Sequence, residues 1–146
     1  MLVLLSCVLL SLSAKQNSYS NCTPTTSPLK NIQISVDPQD LTIGSPLTLS
    51  ANGTISETVT GGTSTLSVQF FQNGAWIRLP DLNFNNCDYV TCPFPSAPGF
   101  VSHNISFTIP GTTPPGQYRG AFMILDQSNV NILCVTFLAE LLPPNF

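Results

Sequence analysis

The sequence predicts an all-β fold, an antiparallel β-sandwich built from seven or eight short strands. Three observations lead to this prediction. Apolar and polar residues alternate with a period of two in several segments, and clusters of Gly, Pro, Asn and Asp separate these segments. No segment shows the 3.6-residue period of an amphipathic helix. The 146 residues are enough for one domain with a hydrophobic core.

The predicted strands follow one another with short turns between them. Ile32, Ile34 and Val36 alternate with polar residues in the first strand. The dipeptide Asn73-Gly74 predicts a hairpin turn that leads into residues 75–79. The other predicted strands lie within residues 47–52, 65–70, 101–109, 117–126 and 131–142, with turns at 37–40, 44–46, 114–116 and 127–129.

The chain divides into four predicted parts. Residues 1–14 are apolar and end in small residues, which is typical of a signal peptide and too short to span a bilayer. The alternative is a buried N-terminal helix or an anchor. Residues 15–28 form a polar leader, residues 29–142 form the β-sandwich, and residues 143–146 form a C-terminal tail.

Four cysteines remain after removal of a signal peptide that contains Cys7, namely Cys22, Cys87, Cys92 and Cys134. An even number of cysteines behind a signal peptide indicates disulfides in an oxidising compartment. Three pairings are possible, and the short spacing favours Cys87–Cys92 with Cys22–Cys134. A zinc site is disfavoured because the chain has one histidine and no Cys-x-x-Cys motif. We therefore expect no metal.

Three Asn-x-Ser/Thr sequons agree with secretion, at Asn21, Asn52 and Asn104. The middle residue of the first sequon is Cys22, which argues against a glycan on Asn21. A glycan must point to solvent, so glycans on Asn52 and Asn104 imply inward side chains for their alternating neighbours. These neighbours are Leu49, Ala51, Ile105 and Phe107.

Charge and motifs exclude several functional classes. Charged residues make up 8% of the chain, with a net charge of −3 and no basic cluster, so nucleic acid is not an expected partner. A membrane contact would be apolar rather than electrostatic. Catalytic motifs are absent from the sequence, and the one histidine, His103, has inward parity and is expected to be a hydrogen-bonded structural residue. We expect neither an enzyme nor a cofactor.

The ordered motifs of the chain resemble a known family. These are Ile32–Pro38, Gly44–Gly53, Cys87-x4-Cys92-Pro93, Ile109-Pro110, Pro114–Tyr118, Asp126 and Ile132–Cys134. The set resembles the ML lipid-recognition family, and most of all its branch of phosphatidylglycerol/phosphatidylinositol transfer proteins. The resemblance implies an immunoglobulin-like sandwich whose two sheets part to admit a lipid, and the same two disulfides. The third bridge of the lysosomal cholesterol carrier has no counterpart here, so no sterol preference is carried over.

The resemblance and the strand parity together predict a lipid site between the sheets. The predicted ligand is a phospholipid or sterol, carried between membranes by a monomer that contacts them transiently. The predicted location is outside the cell or in the lumen of an endosome, lysosome or vacuole. The cavity would be lined by Ile34, Val36, Leu49, Leu66, Val68, Phe70, Ile105, Phe107, Phe122 and Ile124, and its entrance by Tyr89, Val90, Phe94, Pro95 and Phe100.

Two alternatives stay open at this point. The first is a lipid-recognition module in innate-immune or receptor signalling that binds lipid without bulk transfer. Its sequence support is the apolar character of both faces of the strands around Phe122 and Phe137. The second is an adhesion-type sandwich with a solid core, because periodicity alone does not separate a filled core from a cavity.

Overall fold

The computed structural model describes residues 17–144. The predicted signal peptide lies outside the described residues, as do Cys7 and the last two residues of the predicted tail. The described chain contains ten strands and one short 3-10 turn, Asn86–Asp88. The strands are β1 Ser18–Asn21, β2 Leu29–Asp37, β3 Leu41–Thr42, β4 Pro46–Ile55, β5 Thr63–Gln72, β6 Ala75–Arg78, β7 Leu82–Asn85, β8 Gly99–Thr108, β9 Gly116–Leu125 and β10 Asn131–Leu142.

The strands form two sheets, which confirms the predicted β-sandwich. The smaller sheet has three antiparallel strands in the order β2-β4-β8. The larger sheet has seven strands and follows the order β1-β10-β9-β5-β6, with β7 also paired to β5. The short strand β3 runs parallel to β10, and the other pairs are antiparallel.

The sandwich has two ends that carry different loops. We call the end with the loops of residues 56–62, 86–98 and 126–130 the disulfide end, because it contains Cys87 and Cys92. The loops of residues 38–45 and 109–115 lie at the other end, which we call the distal end. These loops, rather than helices, close the sandwich at both ends.

Strand parity follows the sequence pattern closely. On β2 the side chains of Ile32, Ile34 and Val36 are half-buried, whereas their polar neighbours are exposed. The predicted turn at Asn73 and Gly74 is confirmed, since both residues have positive φ and connect β5 to β6. The one irregularity of β2 lies at its start, where the register shifts between Lys30 and Gln33.

The polar leader predicted for residues 15–28 contains a strand. Ser18–Asn21 pairs with β10, and Tyr19 lies opposite Phe137. The ring of Tyr19 packs against the buried cluster at the disulfide end. A short, largely polar strand suits the edge of a sheet because its outward side chains stay hydrated. This strand was hidden from the sequence pattern, since only one of its four residues is apolar.

Both predicted disulfides are present. Cys22–Cys134, which we call the long bridge, ties the segment after β1 to β10 across 112 residues of sequence. Cys87–Cys92, the short bridge, closes the loop between β7 and β8. Disulfides persist in oxidising compartments, so the chain is suited to an extracellular or luminal location.

The buried core consists of two separate clusters. The distal-end cluster consists of Leu41, Ile43, Leu47, Ile109, Tyr118, Ala139 and Leu141. The cluster at the disulfide end consists of Leu29, Ile55, Val59, Ile132, Leu133 and Val135. Each cluster takes residues from both sheets and from the loops, so each end of the sandwich is sealed independently.

Candidate functional site

Between the two core clusters lie apolar residues that belong to neither cluster. Leu49 and Ile105 come from the smaller sheet, and Leu66 and Phe122 from the larger sheet. Each of the four is half-buried although its parity is inward. The centre of the sandwich is therefore covered less completely than its ends, and we call this region the central gap.

The structure distributes the ten predicted cavity residues over three environments. Leu49, Ile105, Leu66 and Phe122 line the central gap. Phe107 has the same parity as Ile105 but is 49% exposed, because β8 is the edge strand of its sheet. The other five are half-buried and flank the gap: Ile34 and Ile124 pack on the cluster at the disulfide end, and Val36, Val68 and Phe70 pack on the distal-end cluster. Their contact with a lipid stays a prediction.

One long side of the sandwich exposes an unusual amount of apolar surface. Here β8 is the edge of the smaller sheet, and β6 and β7 form the edge of the larger one. Ile77 lies opposite Phe70 and Leu82 lies opposite Leu66, so both have inward parity. They are nevertheless 44% and 52% exposed. With Phe107 they form an apolar border on both edges, which we call the apolar mouth.

The predicted entrance residues divide into two groups. Phe94 is half-buried, and its ring lies 5.6 Å from the imidazole of His103 on the inward face of β8. Paired backbone hydrogen bonds of 2.8 and 2.9 Å join Phe94 to Val59. Val90 and Pro95 are also half-buried. These residues close the disulfide end of the gap rather than leaving it open.

The other two predicted entrance residues are exposed. Phe100 is 72% exposed and belongs to the outward parity of β8, since it precedes the inward Val101. Tyr89 packs its ring edge-on against Phe84 at 5.4 Å, and Phe84 shares the inward parity of Leu82 on β7. The role of both residues at an entrance stays a prediction.

A buried asparagine that the sequence analysis did not single out organises the disulfide end. Asn86 is 6% exposed. Its side-chain Nδ2 donates to the carbonyl oxygens of Gly61 at 3.0 Å and Leu125 at 2.8 Å. Its Oδ1 accepts a 2.7 Å hydrogen bond from the hydroxyl of Ser64. Asn86 thus joins three chain segments immediately before Cys87. No local sequence pattern indicates this role.

Two carboxyl groups meet at the same end. The side chains of Glu57 and Asp126 hydrogen-bond each other, and Asp126 is 2% exposed. The hydrogen bond with Asp126, together with burial and the negative charge of Asp126, raises the pKa of Glu57 above its ordinary value. Burial would also raise the pKa of Asp126, but N–H groups of Val130 and Ser128 and the bond with Glu57 outweigh it and lower that pKa. The pair therefore favours a shared proton.

His103 has the inward parity that the sequence predicts. Its side chain is half-buried, and the residue pairs with Ala51 on β4. Among residues 17–144 neither ring nitrogen has a hydrogen-bond partner in the protein, so the expectation of a hydrogen-bonded histidine stays a prediction. An aromatic contact with Phe94 is its most specific interaction.

The outer faces of the sheets carry polar groups and two surface clefts. Asn52 and Asn104 share the outward parity of the smaller sheet, as glycan acceptors require. Arg119 also points outward and stacks over the ring of Trp76 at 4.4 Å. Clefts of about 200 Å³ and 590 Å³ lie on the outer side of β5 and beside residues 26–31, and neither is lined by both inward faces.

Residues 17–144 contain neither a cluster of metal-binding side chains nor a helix suited to cross a membrane. Residues 17–144 include no group of three or more His, Cys, Asp or Glu side chains placed to hold a metal ion. In the same residues, no helix has the length and apolar character needed to cross a bilayer.

Two solved structures share the fold of this chain. A Niemann-Pick type C2 protein from the Japanese carpenter ant superposes with a TM-score of 0.56 at 17% identity, covering 86% of this chain and 99% of that one. Chicken MD-1, solved in complex with lipid IVa, gives a TM-score of 0.55 at 14% identity and covers 85% and 88%. At these identities the likeness establishes the fold.

Sequence relatives establish the family. Two proteins of Dictyostelium discoideum, both named as candidate phosphatidylglycerol/phosphatidylinositol transfer proteins, align over most of their length. One is 33% identical over 137 residues, which is 93% of each chain. The other is 32% identical over 120 residues, 80% of this chain and 81% of its own. The family model of the ML domain matches residues 16–141. The chain therefore belongs to the ML-domain family.

Proposed function

We propose that this protein binds one phospholipid or sterol molecule in the central gap and transfers it between membranes. The observation that carries the proposal is the set of inward apolar residues that neither core cluster covers, opening sideways to the apolar mouth. The names of the Dictyostelium relatives and the lipid in the chicken MD-1 structure support a lipid rather than another apolar ligand.

The physical need for such a carrier follows from the cost of exposing a lipid to water. An acyl chain of 16 carbons loses about 13 kcal/mol of apolar stabilisation on leaving a bilayer, at about 0.8 kcal/mol per CH₂. Spontaneous exchange between membranes is slow for this reason. A protein that receives the chain between two apolar sheets lowers this barrier without any bond chemistry.

The apolar mouth is the part of the surface that suits contact with a bilayer. Ile77, Leu82 and Phe107 place apolar side chains on both edges of the gap, so a lipid can leave a membrane without crossing water. The sheets would part along this side, because the segment that leads from the long bridge to β2 ties the opposite side: Ser27 Oγ in this segment donates to the carbonyl oxygen of Ile132 on β10. The protein would act as a monomer outside the cell or in an endosomal, lysosomal or vacuolar lumen.

The test combines lipid identification with a blocked gap. The purified protein is analysed by native mass spectrometry and by exchange of labelled phospholipid between vesicles. Ile105→Trp fills the gap, whereas Ser102→Trp adds the same ring to the exposed face of the same strand. We expect wild type and Ser102→Trp to carry and exchange lipid, and Ile105→Trp to lose both activities while staying folded. Absence of bound lipid and of exchange in the wild type would refute the proposal.

One outcome separates transfer from recognition. A protein that retains a stoichiometric lipid but does not exchange it between vesicles is a recognition module rather than a carrier. A receptor that co-purifies with it would then support a role in innate-immune or receptor signalling.

A further inference from the structure

His103 occupies a polar position on an otherwise apolar inward surface. On β8 it lies between Val101 and Ile105, which share its parity and are half-buried like it. Its β4 partner is Ala51, which has a small side chain. The ring of Phe94 lies edge-on at 5.6 Å toward the disulfide end. The imidazole therefore faces the space between the sheets, on the edge strand that borders the apolar mouth.

The imidazole lacks a protein partner among residues 17–144 but is accessible. Neither ring nitrogen forms a hydrogen bond within that part of the chain. The fully buried polar side-chain atoms without a partner are Tyr19 Oη, Glu57 Oε1 and Asn131 Oδ1, so the His103 nitrogens retain access to their surroundings. A neutral imidazole has one donor and one acceptor, and it costs free energy to leave them unpaired against apolar surface. A ligand in the gap is placed to pair with them.

The surroundings also lack an acidic partner for a protonated His103. Strands β4, β5 and β7, which pair with β8 or face it, contain no charged or titratable residue. On β9, Arg119 points outward, and the hydroxyl of Tyr118 donates to the carbonyl oxygen of Pro114. In the loop before β8, Asp88 and Tyr89 are exposed.

Two further carboxyl groups lie at the disulfide end, and both are already engaged. Glu57 and Asp126 bond each other, and the Oδ1 of Asp126 also accepts two backbone N–H groups. The protein thus offers an imidazolium no counter-charge within the gap. An anionic ligand would supply that counter-charge, and a charge-assisted hydrogen bond is stronger than a neutral one.

We infer that His103 holds the phosphate of a phospholipid head group beside the apolar mouth while the acyl chains occupy the central gap. This inference rests on the proposed lipid-carrier function and adds a specificity-determining residue to it. An imidazole N–H donates to a phosphate oxygen, so the site prefers a phospholipid to a lipid that has the same acyl chains and no phosphate.

The experiment compares two lipids that have the same acyl chains, one with a phosphate and one without. Binding of dipalmitoyl phosphatidylglycerol and of dipalmitoylglycerol is measured for wild type, His103→Gln and His103→Phe. Ser102→Gln, on the exposed face of the same strand, is the matched control. We expect wild type and Ser102→Gln to prefer phosphatidylglycerol by about tenfold, the factor that one charge-assisted hydrogen bond supplies.

His103→Phe, which has no donor, should lose the preference while binding dipalmitoylglycerol as wild type does, and His103→Gln, which keeps an N–H donor, should retain part of it. An unchanged preference in His103→Phe would overturn the inference while leaving the carrier function intact. A wild type that binds neither lipid refutes the carrier function and the inference with it. A last measurement uses inorganic phosphate as a competitor. If millimolar phosphate competes for the site and wild type shows no preference between the two lipids, the site binds a free anion instead.

Discussion

Replacement of Asn86 by alanine tests the claim that one buried side chain holds the disulfide end together. The substitution removes three side-chain hydrogen bonds, to Gly61, Leu125 and Ser64. It leaves two carbonyl oxygens and one hydroxyl without their partner in a buried setting. Each such loss costs about 1–3 kcal/mol, and part of it is recovered by water that enters the vacated space. We therefore expect the free energy of unfolding to fall by about 4 kcal/mol.

The assay is guanidinium denaturation with both bridges intact. For a domain of this size a loss of about 4 kcal/mol lowers the denaturation midpoint by about 1 M. Asn83→Ala is the matched control on the neighbouring strand, because Asn83 is exposed and its Oδ1 accepts a single hydrogen bond, from Thr65. The control should cost less than about 1 kcal/mol. Equal losses for the two variants would refute the reasoning, since burial and bond number would then not decide the cost.

Three other predictions concern the bridges, the acid pair and one glycine. Replacing both cysteines of the long bridge by alanine should lower the free energy of unfolding by about 5 kcal/mol, and the same change in the short bridge by about 2 kcal/mol. The two values differ because the closed loops differ in length, and denaturation of each variant measures them. Glu57→Gln should gain stability over wild type as pH rises from about 4 to 7, measured by urea denaturation across that range. Gly62→Ala should lower stability by about 2–4 kcal/mol, because φ is +96° and an added Cβ would lie 2.1 Å from the carbonyl oxygen of Leu125. Its control is Gly61→Ala, whose Cβ meets its nearest atom at 3.7 Å and should cost less than about 1 kcal/mol.

The sign of the pH prediction follows from the two opposite pKa shifts. The pKa of Glu57 is raised, so its contribution to stability is present below its ordinary pKa of 4.5 and is lost as pH rises through the raised value. The pKa of Asp126 is lowered, so its contribution is present above 3.8 and is lost as pH falls through the lowered value. Glutamine keeps a donor for Asp126 but does not titrate. An unchanged difference between variant and wild type from pH 4 to 7 would contradict this account.

The other two predictions fail in recognisable ways. Equal costs for the two bridges would show that loop length does not determine their contribution in this chain. Equal costs for Gly61→Ala and Gly62→Ala would show that the loop of residues 56–62 relaxes to admit a Cβ, despite the close approach of Leu125.

Strand parity could be predicted from the sequence because alternation is a local property. Ile34 and Val36 on β2 and Ile105 on β8 take the inward positions that their pattern indicates. The inward position of Ile77 could be predicted in the same way. A two-residue turn at Asn73-Gly74 fixes the hairpin register and places residue 77 opposite Phe70, on the inward parity. The apolar mouth is not among the sequence predictions, because the pairing register of β5 was not extended beyond the turn into β6.

Features that depend on long-range pairing were not predictable in the same way. Leu82 takes its inward position because β7 pairs with β5, and four residues carry too little periodicity to reveal that. The role of Asn86 depends on the convergence of three loops. Phe100 was assigned to the entrance by its nearness to Cys92 in sequence, whereas the register of β8 turns it outward.

The division of the core into two clusters separates the stability of the fold from the chemistry of the site. At the distal end, Ile43 and Ile109 seal the sandwich from the loops, and at the disulfide end Val59 does so with Phe94. The two ends are thus held by contacts that a ligand in the central gap does not touch. Residues of the gap are free to stay partly uncovered, because the free energy of folding comes mainly from buried apolar surface at the ends. A site of this design can exchange an apolar ligand without unfolding, which is the physical requirement that a lipid carrier has to meet.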